Sequence, residues 1–128
     1  MLKKHNPAGI APPVAAYVHG MEAPPNARWL YVSGQIGALP DGTVPDLPEA
    51  QIEAAYTNFK AVLESADMGP EDIVRLNVYL TSPDLIPLSL AARAKVLGDI
   101  EPAQTGVVVA ALRYPEWIIE VDGVAAAL

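Results

Sequence analysis

A run of six apolar residues near the C-terminus is the feature that most restricts the fold of this chain. The run, Val107-Val108-Val109-Ala110-Ala111-Leu112, lies in a stretch from Thr105 to Leu112 and begins with three valines. Residues with β-branched side chains favour strands. Successive side chains of a strand point to opposite faces, so a continuous apolar run is apolar on both. The sequence therefore predicts a strand that is covered on both faces.

The rest of the chain predicts two helices and four more strands. Pro48 and Glu49 indicate the start of a helix that ends before Gly69-Pro70, and Ser82-Pro83-Asp84 indicates one that runs to about Leu97, with Gly98 as its stop. In the first helix, apolar residues recur at helical spacing: Ile52, Ala55, Phe59, Val62, Leu63 and Ala66. The strands are predicted at 15–19 (an edge strand), 28–33, 73–81, 105–112 and 117–126. In the strand predicted at 73–81, alternate side chains are expected on opposite faces: Val74, Leu76, Val78 and Leu80 on one, and Arg75, Asn77 and Tyr79 on the other.

The order β-β-α-β-α-β-β predicts an α+β fold in one domain, residues 1–128, with two helices on one face of a mixed β-sheet. Two helices leave the other face of the sheet uncovered. A second copy of the chain is the simplest apolar cover for it, so we expect a homo-oligomer. The alternative is that solvent tolerates this face, because much of any protein surface is apolar.

Composition and charge exclude several classes of function. The chain has no cysteine and two histidines, which excludes disulfide scaffolds and thiol nucleophiles and makes a metal site unexpected. Its net charge of −7, with scattered basic residues, argues against nucleic acid as a partner. No apolar run is long enough to span a membrane, so we expect no membrane partner. A signal peptide would have an apolar stretch after Lys3-Lys4, and none follows, so we expect a cytoplasmic location.

Glu120 is the strongest candidate for chemistry. Strand alternation places it on one face with Ile118, Asp122 and Val124. If that face packs against another subunit, the carboxylate is partly desolvated and can hold or deprotonate a water molecule. The alternative is a solvated face on which both acids only confer solubility.

Two weaker candidates precede the first helix. Tyr17 and His19 share a face of the predicted edge strand, where they could orient a substrate or be ordinary surface residues. Ser33-Gly34-Gln35 ends a strong strand with a glycine, whose exposed backbone N–H groups could bind a ligand.

Five segments along the chain together resemble the Rid family, the YjgF-like proteins named for reactive intermediate deaminase activity and also described as L-PSP endoribonucleases. The segments are Tyr31-Val32-Ser33-Gly34-Gln35, Asn58–Leu63, Val78–Thr81, Pro102–Thr105 and Ile119–Asp122. The resemblance implies a chorismate-mutase-like fold, assembled as a homotrimer with a ligand cleft at each subunit interface. It also implies hydrolysis of enamines or imines, such as 2-aminoacrylate, to ketoacids and ammonia without metal or cofactor.

The same resemblance suggests which residues form the site. The family's water-holding Glu corresponds to Glu120 and its pocket Tyr to Tyr17. Gln104 stands where an Arg binds the substrate carboxylate, and Ser89 stands where an Asn lines the pocket. A neutral amide holds a carboxylate less strongly than the guanidinium fork does.

With Gln104 in place of the Arg, the resemblance implies a trimer that binds a small molecule and hydrolyses an enamine or imine other than a simple 2-imino acid. The alternative is a non-catalytic ligand-binding or regulatory trimer. A third possibility, a ribonuclease or translation inhibitor, is disfavoured by the acidic charge.

Overall fold

The computed structural model describes residues 1–128 and contains two α-helices and six strands. The helices are α1 (Pro48–Ser65) and α2 (Ile86–Leu97), and the strands are β1 (Lys3–His5), β2 (Gly20–Glu22), β3 (Arg28–Gln35), β4 (Ile73–Leu80), β5 (Ala103–Val108) and β6 (Ile119–Ala127). The last four strands form one sheet in the order β3-β6-β4-β5, while β1 and β2 form a separate antiparallel ribbon. Only β4 and β5 pair in parallel, so the main sheet is mixed.

The two helices form where the sequence predicts them and lie on one face of the sheet. Pro48 occupies the first turn of α1, where its missing N–H costs no hydrogen bond. Ser82 caps the short 3₁₀ turn that leads into α2, and Gly98 ends α2 with a φ of 77°. Tyr56 and Phe59 of α1 are fully buried with the inward side chains of the sheet. The predicted α+β class with two helices on a mixed sheet is confirmed.

The N-terminal region differs from the prediction. Residues 15–19 do not form an edge strand; only Val18 makes an isolated bridge, to Ala103. The strands of this region are β1 and β2, which pair across an intervening stretch of 14 residues, numbers 6–19. A three-residue pairing between distant segments leaves no periodic pattern, which is why local analysis does not reveal it.

The strand predicted at 105–112 is also shorter than expected. β5 ends at Val108, because its one neighbour, β4, ends at Leu80; the last bond is donated by the Val109 N–H to the Leu80 carbonyl at 2.8 Å. In the single chain Val107 is 42% and Val108 44% exposed, so the expectation of cover on both faces is not met within one chain.

The face of the sheet away from the helices, which we call the open face, carries both aromatic and polar residues. On β3, Trp29 is 52% and Tyr31 76% exposed. Buried Ile119 and Val121 point to the helices, so Glu120, which lies between them, and Asp122, which follows Val121, lie on the open face. The prediction that Val74 shares the inward face is wrong: a bulge after Ile73 leaves Val74 without a partner on β6, and Ile73 is the buried residue.

Candidate functional site

A cavity of about 130 Å³ lies between β4, β5 and α2, on the helix side of the sheet. Hydrophobic side chains make up most of its wall, and its two polar side chains are Ser89 and Gln104. No Lys, Arg, Asp or Glu lines it. The cavity is therefore apolar and uncharged, with polar groups from one helix and one strand.

Ser89 is a buried residue of α2 whose hydroxyl is fixed by α1. The Ser89 Oγ lies 2.8 Å from the Tyr56 hydroxyl, and burial raises the pKa of that tyrosine above its usual value. Because the phenol is held neutral, one of the two hydroxyls always donates to the other. Ser89 is thus a fixed polar point on the cavity wall.

Gln104 brings an unused hydrogen-bond acceptor to the same cavity. It pairs in register with the fully buried Leu76, so its side chain lies on the helix side of β5. Its Oε1 atom is buried and has no hydrogen-bond partner in the chain. A buried polar atom without a partner costs free energy, and a donor supplied by a ligand or a second subunit would remove that cost.

Glu120 and Gly34 meet on the open face, at the other side of the sheet. Glu120 is the cross-strand neighbour of Tyr79, and its carboxylate lies over Gly34 on β3. A Cβ atom at residue 34 would overlap the carboxylate and lie only 2.7 Å from its Cδ. The glycine therefore provides the space that the Glu120 side chain occupies.

The second carboxylate of this strand has a different environment. The Asn77 Nδ2 donates to the Asp122 Oδ1 at 2.7 Å. A hydrogen bond to Asp122 and the negative charges of Asp122 and Glu120 raise the pKa of Tyr79. Asp122 is thus held by neighbouring donors, whereas no group of the chain hydrogen-bonds the Glu120 carboxylate. Of the two acids, Glu120 is the one free to bind water or a ligand.

Tyr17 lies at the edge of β5 near Gln104. The parallel bridge joins Val18 to Ala103, so Tyr17 is level with Pro102, His19 is level with Gln104, and Tyr17 is a diagonal neighbour of Gln104. The rings of Tyr17 and His19 meet edge to face, 6.1 Å between centroids, and His19 Nε2 lies 2.7 Å from the Ala11 carbonyl oxygen. His19 is therefore engaged by its own loop.

One chain brings the predicted site residues into two groups rather than one. Ser89 and Gln104 share the cavity on the helix side, and Gly34 and Glu120 share the open face. Tyr17 does not line the cavity and lies beside the start of β5. The two groups are separated by the sheet itself.

The loop between β5 and β6 belongs to neither group. Tyr114 and Trp117 stack edge to face, 4.7 Å between centroids, and the Arg113 guanidinium lies 5.8 Å from the centre of the Tyr114 ring. Both aromatic residues line a separate, open depression with Ile36 and Thr43.

Sequence reasoning missed two buried polar residues near the site. Gln51 is 2% exposed; its Nε2 donates to the carbonyls of Pro45 and Glu116, and its Oε1 accepts from the Ile118 N–H at 2.8 Å. Gln51 thereby fixes the entry to β6. Arg93 is 6% exposed on α2. Gln51 and Arg93 each lie four residues from a buried position of the same helix. Their place in the buried stripe of the helix could have predicted from the sequence that they are buried.

Most of the chain matches known protein sequences. A family model described as endoribonuclease L-PSP matches residues 9–127. Protein HMF1 of Saccharomyces cerevisiae is 32% identical over 103 residues, which cover 77% of this chain and 74% of that protein. A RutC family protein of Pyrococcus horikoshii is 26% identical over 119 residues, 88% of each chain.

Solved structures show the same similarity. The crystal structure of YyfB from Yersinia pestis, a Rid-family protein of unknown function, has a TM-score of 0.85 and 30% identity over 98% of both chains. Its match covers both the cavity and the open face. Since sequence and structure agree over nearly every residue, this chain belongs to the Rid family, which is also described as the endoribonuclease L-PSP family.

Proposed function

We propose that the chain forms a homotrimer that binds a small neutral molecule between subunits and hydrolyses it as an enamine or imine. The observation that carries the proposal is Gln104, which lines an uncharged cavity and whose buried Oε1 has no hydrogen-bond partner in the chain. An acceptor in an apolar site favours a ligand that presents an N–H or O–H group, as a primary enamine or imine does.

The cavity disfavours a carboxylate at Gln104. A buried anion requires a cation or several donors, and the nearby arginines are committed elsewhere. Arg75 donates to Thr105 Oγ1 at 2.5 Å, Arg93 donates to two backbone carbonyls, and Arg113 stacks on a tyrosine. The substrate class is therefore a neutral enamine or imine and excludes simple 2-imino acids.

The division of the site between two faces of the sheet supports assembly. Glu120 cannot reach the cavity of its own chain through the sheet, so a shared cleft needs a second subunit. The exposed side chains of Trp29, Tyr31 and Val107 offer apolar surface for that contact. Three subunits, each offering a Gln104 cavity to the open face of the next, would give three equivalent clefts.

In this cleft Glu120 would act on water. A primary enamine first tautomerises to its imine, as the nitrogen loses a proton and the neighbouring carbon gains one. The Glu120 carboxylate takes a proton from a water molecule while the water oxygen attacks the imine carbon; the C=N electron pair moves to nitrogen, which takes that proton from Glu120 to give the carbinolamine. Glu120 then carries the hydroxyl proton of the carbinolamine to the nitrogen as the C=O bond forms and the C–N bond breaks, and the nitrogen leaves as ammonia. The balance is one water consumed and one ammonia released for each carbonyl formed. General acid–base catalysis of this kind contributes about 10²–10⁴-fold in rate.

The test uses 3-aminocrotonamide, a neutral primary enamine that hydrolyses to acetoacetamide and ammonia. We expect ammonia release above the spontaneous rate, reduced about 10²–10⁴-fold by Glu120→Gln. Asp122→Asn is the matched control, because that carboxylate is already held by Asn77 and should be dispensable. Light scattering should give about three times the 13.5 kDa chain mass. A monomer, or equal loss in both variants, contradicts the proposal.

A non-catalytic binding role is the second candidate. The cavity of Ser89 and Gln104 is complete in one chain, so a ligand can bind there without Glu120. Binding of acetoacetamide without turnover of any neutral enamine would favour that role. The ribonuclease function suggested by the family's description is the weakest, since a net charge of −7 opposes binding to phosphate groups.

A further inference from the structure

Arg93 is a buried cation without an acidic partner. It lies on α2, one turn after Ser89, and is 6% exposed. The chain has no salt bridge to Arg93, and the nearby acid Glu101 is paired with Lys4 at 2.7 Å. Burial lowers the pKa of the guanidinium, so keeping the charge here carries a free-energy cost. Arg93 Nε is, like Gln104 Oε1, a buried atom without a hydrogen-bond partner.

The contacts of Arg93 connect α2 to the segment that carries Tyr17. Its Nη2 donates to the Ala16 carbonyl at 2.9 Å and to the Ile100 carbonyl at 2.6 Å. Ala16 immediately precedes Tyr17, and Ile100 lies in the connection that leads into β5. One guanidinium nitrogen therefore holds two chain segments together just before the start of β5.

The other contacts that hold this segment are hydrogen bonds from neutral groups. The Val18 N–H donates to the Pro102 carbonyl at 3.1 Å, and the Tyr17 N–H donates to the Ala15 carbonyl. The His19 N–H donates to Asn6 Oδ1 at 2.8 Å, His19 Nε2 lies 2.7 Å from the Ala11 carbonyl oxygen, and the Val14 N–H donates to the Tyr17 hydroxyl at 3.4 Å. Apart from Val18, residues 14–19 are exposed or half-buried, so apolar packing contributes little to their order. The position of Tyr17 thus depends on a few hydrogen bonds, of which those from a charged donor are the strongest.

We infer that Arg93 is a positioning residue that holds Tyr17 at the start of β5, diagonally across from Gln104, and acts on the cleft through Tyr17. The role rests on the proposed function only where it concerns turnover. A single buried cation would be a poor way to stabilise the fold, because an apolar side chain of similar length often does so equally well.

The test compares Arg93→Met with wild type by hydrogen exchange and by turnover. Methionine keeps the apolar stem and removes every donor. Losing hydrogen bonds from a charged donor should raise exchange in the peptide 14–20 about 10-fold, with α1 and β4 unchanged. Arg93→Lys keeps the charge but lacks the fork, and should give an intermediate increase. Arg28→Met is the matched control, because Arg28 also donates to two backbone carbonyls, Ala66 and Leu128, away from the cavity.

Turnover of 3-aminocrotonamide decides whether Arg93 acts through Tyr17. We expect Arg93→Met to lower kcat/KM about 10-fold in wild type and to add no further loss in a Tyr17→Phe background. Unchanged exchange in the peptide 14–20 overturns the anchoring role, and additive losses in the double variant overturn the action through Tyr17. If wild type fails to hydrolyse the probe, the proposed function fails for that substrate, while the exchange measurement still decides the positioning role.

Discussion

Replacing Gly34 by alanine tests whether the space above β3 exists for the Glu120 carboxylate. The added Cβ would lie 2.7 Å from Glu120 Cδ and 3.0 Å from its Cγ, well inside the roughly 3.5–4.0 Å optimum for carbon contacts. The side chain is flexible and half-buried, so it can move to another rotamer. That move costs about 0.5–1.5 kcal/mol, and a melting temperature lower by about 2–8 °C follows.

The effect on catalysis should be much larger than the effect on stability. A catalytic group displaced by about 1 Å can lose about 10²-fold in rate. We therefore expect Gly34→Ala to lower kcat/KM for 3-aminocrotonamide about 10²-fold and to keep the same molar mass as wild type in light scattering. In a Glu120→Gln background, the same change should cost little more, because the carboxylate is already gone.

The matched control is Gly9→Ala, where an added Cβ meets nothing within 4 Å. It should leave both turnover and melting temperature unchanged. The reasoning is refuted if Gly34→Ala turns over the probe like wild type, or if its loss of activity only follows unfolding at the assay temperature.

Three further changes have expected outcomes. Gln51→Leu removes the acceptor of the Ile118 N–H, so denaturant unfolding should show a loss of about 1–3 kcal/mol; wild-type stability would show that the bond is dispensable. Burial raises the pKa of Tyr56 in the folded chain. The protonated phenol therefore contributes its full stabilisation below the unfolded pKa near 10, and this stabilisation is lost as pH rises through the pKa of the folded chain. Tyr56→Phe should therefore weaken the fall in melting temperature above pH 10, at a cost near neutrality of about 0.5–1.5 kcal/mol for the bond to Ser89. Gln104→Arg should gain hydrolysis of 2-aminoacrylate generated in situ, by roughly 10²-fold in kcat/KM, and wild-type activity equal to that of the variant would show that another group binds the carboxylate.

The local sequence pattern is sufficient to predict the elements whose buried residues recur at regular spacing. The stripe from Ile52 to Leu63 predicts α1 because a helix must bury such a stripe, and Pro48 and Gly98 set helix ends through backbone chemistry alone. The alternation around Glu120 likewise predicts the face on which it lies. The order of the elements predicts the α+β class, and the Rid resemblance adds the chorismate-mutase-like fold. The cytoplasmic location, the homotrimer and the roles of the site residues stay predictions.

Only the tertiary structure decides features that depend on distant partners. The pairing of β1 with β2, the early end of β5 at Val108, and the bulge at Val74 are all set by a neighbouring strand, which no local window contains. The separation of Glu120 from Gln104 has the same origin. Strand alternation assigns each residue to a side of its own strand, but the register between strands determines whether two such sides are the same face of the sheet. The side of its strand on which a residue lies follows from its position in the sequence. Whether two such sides form the same face of the sheet is determined only when the strands pair.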